Sequence, residues 1–315
     1  MISCAGIDVS KATLDIGLWP QDSTFQVDNT PEGIAIAIDR LRGLGVGRVL
    51  LEATGGYEKR AVSLLARAGF QASCINPRRA RQFALAMGRK AKTDKIDVLM
   101  LAQFAQKLDT YPAVKPSNQR DELAALVKQR DRFVQQRDDD KRRLKMASHD
   151  VVRANYTDHI AYLNTRIKAL EQCIEQALKT LDSRTVALMR MVKGVGLITT
   201  AGLMAYLPEL GTLNRRQITA LVGLAPYNND SGTKSGRRQI WGGRQQVRRL
   251  VYMSSWCLVR FNPDFKARYE GLIARGKAPK VAIVACMRVL IVRLNAMVRD
   301  RTPMINRGLP VATMG

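Results

Sequence analysis

Histidine is nearly missing from this chain of 315 residues, which contains only His149 and His159. A Ser-His-Asp nucleophile system or a histidine-rich metal site is therefore not expected. The five cysteines (Cys4, Cys74, Cys173, Cys257 and Cys286) are far apart and form no CxxC pair. They read as reduced thiols and not as a zinc site or a disulfide framework. Long apolar runs are also missing. VAIVACMRVLIVRL is broken by Arg288 and Arg293, and no stretch reaches the roughly 18–20 apolar residues of a membrane span. The opening MISCAGIDVSK has no basic stretch followed by an apolar core, so a secretory signal is not expected and the cytoplasm is the expected location. Acidic residues are scarce as well: 27 Asp and Glu stand against 51 Lys and Arg, for a net charge of +24.

The excess of positive charge is concentrated. Residues 1–111 carry 15 basic and 11 acidic side chains, and residues 112–183 carry 14 and 11. Residues 184–315 carry 22 and 5, so +17 of the total lies there. A field of that density favours a polyanion through counterion release, and nucleic acid is the expected partner. A hydrophobic content of 46% is that of a globular chain long enough for more than one core.

Against this basic background a few acids occupy telling places. Residues 2–8, 13–19 and 23–28 read as three short strands separated by turn-like segments. A helix over IAIAIDRLRGLG, a buried strand RVLLEAT, a helix YEKRAVSLLARAG and a strand FQASCINP closed by Pro77 follow. That order describes a ribonuclease-H-like mixed sheet flanked by helices. Asp8 falls near the end of the first strand and Glu52 at the end of the fourth. Asp94 and Asp97 begin a later helix, and their spacing of three places them on one face. Each acid singly has an ordinary structural reading, since Asp is common in a first helical turn. Together they form a set of hard oxygen donors suited to Mg²⁺ or Mn²⁺. Two such ions can activate an attacking oxygen and stabilise a leaving one in phosphodiester chemistry.

Residues 112–183 are expected to form a helical arm. Ile160, Leu163, Ile167, Leu170, Ile174, Ala177 and Leu181 recur at spacings of three and four, as in a coiled coil or helical hairpin. A bend is expected at Asn155–Asp158, and the stripe suits either an intradomain helix pair or a dimerisation arm. Residues 184–315 read as a compact, basic, helical domain. Gly194-Val195-Gly196 marks a turn between helices, which could present backbone N–H groups to phosphate as a helix-hairpin-helix does, or could simply be a tight turn. Ser231 sits in an Asp230-Ser231-Gly232 turn, followed by Lys234, Arg237, Arg238, Arg244, Arg248 and Arg249. A serine can attack phosphorus where its proton is removed and the phosphate charge is neutralised. An ordinary turn serine beside a phosphate-clamping stretch fits the same residues.

Seven blocks, in order and over nearly the whole chain, resemble the DEDD transposases of the insertion-sequence 110 family, to which the Piv DNA invertase is related. They are GIDVSKATLD, LLEATGGYE, INPRRARQFA and KTDKIDVLMLAQF, then VKGVGLITTAGLMAYL, LVGLAPYNNDSG and YEGLIARGKAPKVAIVACMRVL. The resemblance implies three regions: a RuvC-like domain over 1–111, a helical coiled-coil arm over 112–183, and a C-terminal transposase domain over 184–315. It implies that Asp8, Glu52, Asp94 and Asp97 bind Mg²⁺ and that Ser231 is a nucleophile forming a covalent link to DNA. It also implies homodimers that pair into tetramers, a site completed between protomers, donor and target DNA as substrates, and a structured noncoding guide RNA. The stretch around Trp241-Gly242-Gly243 and residues 119–158 depart from the family blocks. Three other readings remain beside this one: a Piv-like invertase, a metal-dependent junction nuclease that uses water, and a nucleic-acid-binding protein without catalysis.

Overall fold

The computed structural model describes residues 2–88, 94–108, 117–227 and 239–304, with the side chains of residues 94–96 outside that description. The chain divides into two compact units, Met1–Pro116 and Ser117–Gly315.

In the first unit, alternation of apolar residues with period two builds a five-stranded sheet. Its strands are β1 (Ser3–Val9), β2 (Thr13–Trp19), β3 (Ser23–Asp28), β4 (Val46–Glu52) and β5 (Gln71–Ile75). The order is β3-β2-β1-β4-β5. β1 pairs antiparallel with β2 and parallel with β4, so the sheet is mixed. Helices α1 (Pro31–Gly43) and α2 (Glu58–Arg67) cover one face. Ile7, Leu14, Ile16, Val49 and Leu51 point into that layer and meet Ile34, Leu41 and Leu65. Helices α3 (Pro77–Ala86) and α4 (Asp94–Lys107) lie on the other face, where Cys4, Leu50 and Ile75 meet Leu101 and Ala105. Phe83 and Phe104 stack between these two helices, with ring centres 4.4 Å apart.

α3 corrects the sequence reading, in which Pro77 only closes a strand. Asn76 accepts a hydrogen bond from the N–H of Arg78 at 2.9 Å, and Pro77 follows as the first helical residue. Proline is well placed there because its missing N–H would have no partner in the first turn anyway.

The second unit is mainly helical. α5 (Asn118–Met146) and α6 (Asp150–Thr180) form a hairpin that turns at Ala147–His149. The expected bend at Asn155–Asp158 is thus displaced: those residues are inside α6, and His149 caps its start by accepting from the N–H of Val151. Leu163, Ile167, Ile174 and Leu178 are the buried stripe of α6, and α5 of the same chain packs beside it. Arg130 of α5 reaches Glu171 of α6 at 2.7 Å.

After the hairpin come α7 (Ser183–Arg190), α8 (Leu197–Tyr206) and α9 (Arg215–Val222). A two-residue ladder of β6 (Pro226–Tyr227) and β7 (Gln239–Ile240) leads to α10 (Gln245–Phe261), α11 (Pro263–Ala274) and α12 (Pro279–Asp300). By length and composition alone α12 could cross a membrane, but half of its apolar window is buried inside the protein. Ile283, Met287, Leu290, Ile291 and Leu294 join the core of this unit, so α12 reads as a core helix.

Candidate active site

Strand parity decides where the acids go. Ala5, Ile7 and Val9 of β1 face α1 and α2, so Cys4, Gly6 and Asp8 face α4. Leu51 of β4 likewise faces α1 and α2, which turns Leu50 and Glu52 toward the α4 side. Ile7 is in register with Leu51 on the parallel strand, so the next residues, Asp8 and Glu52, are neighbours at the same end of the same face. Asp8 accepts a hydrogen bond from the N–H of Val9 at 2.9 Å.

α4 brings its first turn to that end because two glycines let it approach. Gly6 and Gly17 are cross-strand partners. A Cβ on Gly6 would lie 2.2 Å from the carbonyl oxygen of Val98, and one on Gly17 would lie 2.7 Å from the Val98 carbonyl carbon. The far end of α4 is held by Arg48 early in β4, whose guanidinium donates to the carbonyls of Ala105 and Leu108, each at 3.3 Å. The helix therefore runs antiparallel to β1 and β4, and half-buried Asp97, one residue before Val98, sits toward the Asp8 and Glu52 end. α4 begins at Asp94, whose side chain lies outside the described residues.

A fifth acid belongs to the same face. Asp15 lies directly across the ladder from Asp8 and accepts a 2.7 Å hydrogen bond from the Gln26 amide. Its signal in the sequence was the alternation of β2, where Leu14, Ile16 and Leu18 face the other layer.

The loop that leaves Glu52 is fixed by Glu58, a buried carboxylate. It accepts from the N–H of Thr54 at 3.2 Å, the Thr54 hydroxyl at 3.0 Å and the N–H of Gly56 at 2.8 Å. Burial works against its charged form, but hydrogen bonds from its own backbone, Gly56 and Thr54 outweigh that and hold its carboxyl below the usual range. Cys74 on β5 has the opposite fate: burial, with Glu58 and Glu52 nearby, pushes its thiol up to about 12. A thiol of that kind stays protonated and is not a nucleophile.

Among the described residues, no group of three or more His, Cys, Asp or Glu side chains is close enough to form a ready-made metal cage. What fits a divalent cation is the chemistry of the donor set: carboxylate oxygens only, carried on one face by two strand ends and the start of one helix.

In the second unit, Ser231, Lys234, Arg237 and Arg238 lie outside the described residues. Their segment is flanked by β6 and β7, which pair Pro226 with Ile240 and Tyr227 with Gln239. The three arginines beyond it have partners within the protein. Arg244 makes a two-pronged ion pair with Glu209 at 2.5 and 2.6 Å and donates to the carbonyl of Tyr206 at 3.0 Å. Arg248 donates to the carbonyls of Gly242 and Gly223, and Arg249 pairs with Asp131 on α5. Gly223 and Gly243 pack backbone against backbone, since a Cβ on Gly243 would lie 2.2 Å from the Gly223 nitrogen.

Gly194 and Gly196 do lie in the turn between α7 and α8. Gly194 has φ +91° and packs on α10, where a Cβ would meet Cys257 at 3.0 Å. Gly196 is the residue before α8, and a Cβ there would meet nothing within 4 Å.

A profile described as a transposase, of the DEDD type of IS110, matches residues 5–147, and one described as "Transposase IS116/IS110/IS902 family" matches residues 186–270. The pilin gene-inverting protein of Moraxella lacunata is 26% identical over 96% of this chain and 97% of its own length. Its namesake in Moraxella bovis is 25% identical over the same shares. The "Insertion element IS110 uncharacterized 43.6 kDa protein" of Streptomyces coelicolor is 28% identical over 49% of this chain and 38% of its own. The chain belongs to the IS110 family of transposases and is an enzyme of DNA recombination.

Proposed function

We propose that the protein is the transposase of an insertion sequence, a site-specific recombinase that cuts and rejoins DNA through Ser231. The observation that carries this reading is the register that sets Asp8 beside Glu52 on the face where α4 begins. The first unit is then ribonuclease-H-like, of the RuvC type. Asp8, Glu52, Asp94 and Asp97 would hold a divalent cation, Mg²⁺ by preference, which when bound neutralises phosphate charge and makes oxygen nucleophiles more acidic. Ser231 Oγ attacks phosphorus, the P–O3′ bond breaks, and a proton passes from the serine to the departing oxygen. The products are a phosphoserine and a free 3′-hydroxyl. Attack by a 3′-hydroxyl on the phosphoserine rejoins the strands and regenerates the serine.

The basic second unit binds donor and target DNA and a structured noncoding guide RNA that selects the sites by base pairing. The protein acts as a homodimer that assembles into a tetramer in the cytoplasm. Lys234, Arg237 and Arg238 are the phosphate contacts. For Arg244, Arg248 and Arg249, their partners within the protein support a scaffolding role in the second unit. A second reading, DNA inversion, is supported by the two full-length relatives named as pilin gene-inverting proteins.

The test incubates protein, cognate DNA and guide RNA with Mg²⁺ and looks for a protease-sensitive protein–DNA adduct. An adduct is expected with the wild type and none with Ser231→Ala. Equal adduct yield in the two would sink the nucleophile, and strand cleavage without any adduct would point to a nuclease that uses water. Paired recombination substrates, with sites in inverted or separate arrangement, distinguish inversion from insertion.

A further inference from the structure

One side of α10 serves the core of the second unit, through Val247, Val251, Ser254, Ser255 and Leu258. The opposite side exposes Tyr252, Met253 and Trp256 at 41, 63 and 37%. Together with exposed Arg249 and Arg260 these form one continuous stripe at helical spacing. Grouped on one helix face, they offer a partner a contiguous aromatic surface.

The rings are held in place by each other. Trp256 meets Tyr252 edge-on with centres 6.3 Å apart, and meets Tyr269 of α11 at 5.5 Å and a tilt of 58°. A ring fixed on two sides loses little freedom when a ligand stacks on it.

Charge narrows the choice of ligand. α10 has no Asp or Glu along its length. The two acids of α11 and Asp131 of α5 have cationic partners: Asp131 pairs with Arg249, Glu270 with Lys266, and Asp264 with Arg293. Lys193 adds a further positive charge 5.1 Å over the ring of Phe261, at the end of α10. A second copy of this chain would bring the same positive charge to the contact. A duplex buries the faces of its bases. An unpaired strand offers both flat faces and phosphates, which is the combination that aromatic platforms with flanking arginines take.

We propose that the Tyr252–Trp256–Tyr269 face of α10 and α11 is a stacking platform for unpaired bases of a DNA strand. This rests on the recombinase reading above, in which guide RNA pairs with DNA strands that Ser231 cuts, and β7 and α10 are the elements that directly follow the Ser231 segment in the sequence.

The test uses the full-length protein and three fluorescein-labelled probes in an anisotropy titration: oligothymidylate of about 20 nucleotides, a duplex of equal length, and oligouridylate. Trp256→Ala and Tyr252→Ala are each expected to weaken oligothymidylate binding by about 5- to 100-fold, with the duplex changed less than about twofold. Trp256→Phe keeps a ring and is expected to stay within about threefold of wild type. Duplex affinity and far-UV circular dichroism report that the variants remain folded.

Unchanged oligothymidylate affinity in both alanine variants, with normal duplex binding, overturns the platform and leaves the recombinase reading standing. A loss confined to oligouridylate overturns the assignment to DNA. A fall in oligomer mass by light scattering, with oligothymidylate binding intact, overturns it in favour of a second copy. A wild type that binds none of the probes overturns both readings.

Discussion

The two units meet opposite demands with opposite means. The first gathers negative charge in a basic protein, and regular structure does it: strand parity and parallel register place Asp8 and Glu52, and a helix seated on two glycines carries Asp94 and Asp97. The second spreads positive charge over helices, and the arginines that follow its short ladder pair with Glu209 and with the Gly242 carbonyl. The difference teaches that acids gathered at one point need rigid elements to stand together against their mutual repulsion, whereas positive charge can be spread over a surface. Loss of a first-unit acid should therefore stop cleavage while sparing DNA binding.

The largest expected effect tests that separation. Asp8→Asn and Asp97→Asn are expected to lower DNA strand cleavage by on the order of 10³-fold. DNA affinity should stay within about threefold, because phosphate contacts supply most of it. Parallel loss of cleavage and affinity in an electrophoretic mobility assay would show that the first unit also binds, and would break the comparison.

Next comes the seat of α4. Gly6→Ala forces a Cβ into the Val98 carbonyl, which should cost about 1–3 kcal/mol or more in thermal unfolding and remove cleavage by displacing the helix. Gly43→Ala, near the end of α1 with nothing within 4 Å of the added Cβ, is the control and should be neutral or slightly stabilising. Equal melting shifts in the two variants would mean that the close approach does not matter.

The smallest effect concerns the loop after Glu52. Glu58→Gln is expected to cost about 1–2 kcal/mol at neutral pH through weakened hydrogen bonds to a charged acceptor. Glu58 is held below its ordinary value of 4.5 in the fold. Its contribution is thus complete above 4.5 and is lost as pH falls through the lowered value. The stability gap between wild type and variant should close in acid, and urea titrations at a series of pH values would show it. A gap that persists unchanged at low pH would assign the effect to packing.

Much of the first unit is legible in its pattern. The strands over 13–19 and 23–28 are where alternation puts them, and β1 is displaced by only one residue. The parity of Asp8 and Glu52 follows from the same alternation. What pattern does not carry is depth: nothing local says that Gly6 and Gly17 touch a helix some eighty positions later. α3 was hidden because proline ends one element and begins the next with the same residue. The hairpin turn was misplaced because the polar run Asn155–Asp158 is solvent-facing helix, while the real break is marked only by the cap at His149. The partners of Arg244 and Arg249 were out of sight because Glu209 and Asp131 are 35 and 118 residues away along the chain. Whether a basic side chain also has an acidic partner in the fold is a fact of tertiary structure alone.

The α5–α6 hairpin has a mechanical consequence. Its root is anchored by Leu123, Val127, Ile174 and Leu178 in the core, by the Tyr206 hydroxyl donating to the Ala124 carbonyl at 3.1 Å, and by Arg249 on Asp131. From Asp131 to the end of α5 at Met146 the helix runs on for about 20 Å at 1.5 Å per residue. It is a cantilever clamped at one end. A tilt of a few degrees where α5 meets α8 and α10 becomes an ångström-scale displacement at the tip, and a load on the tip is felt as torque on α10.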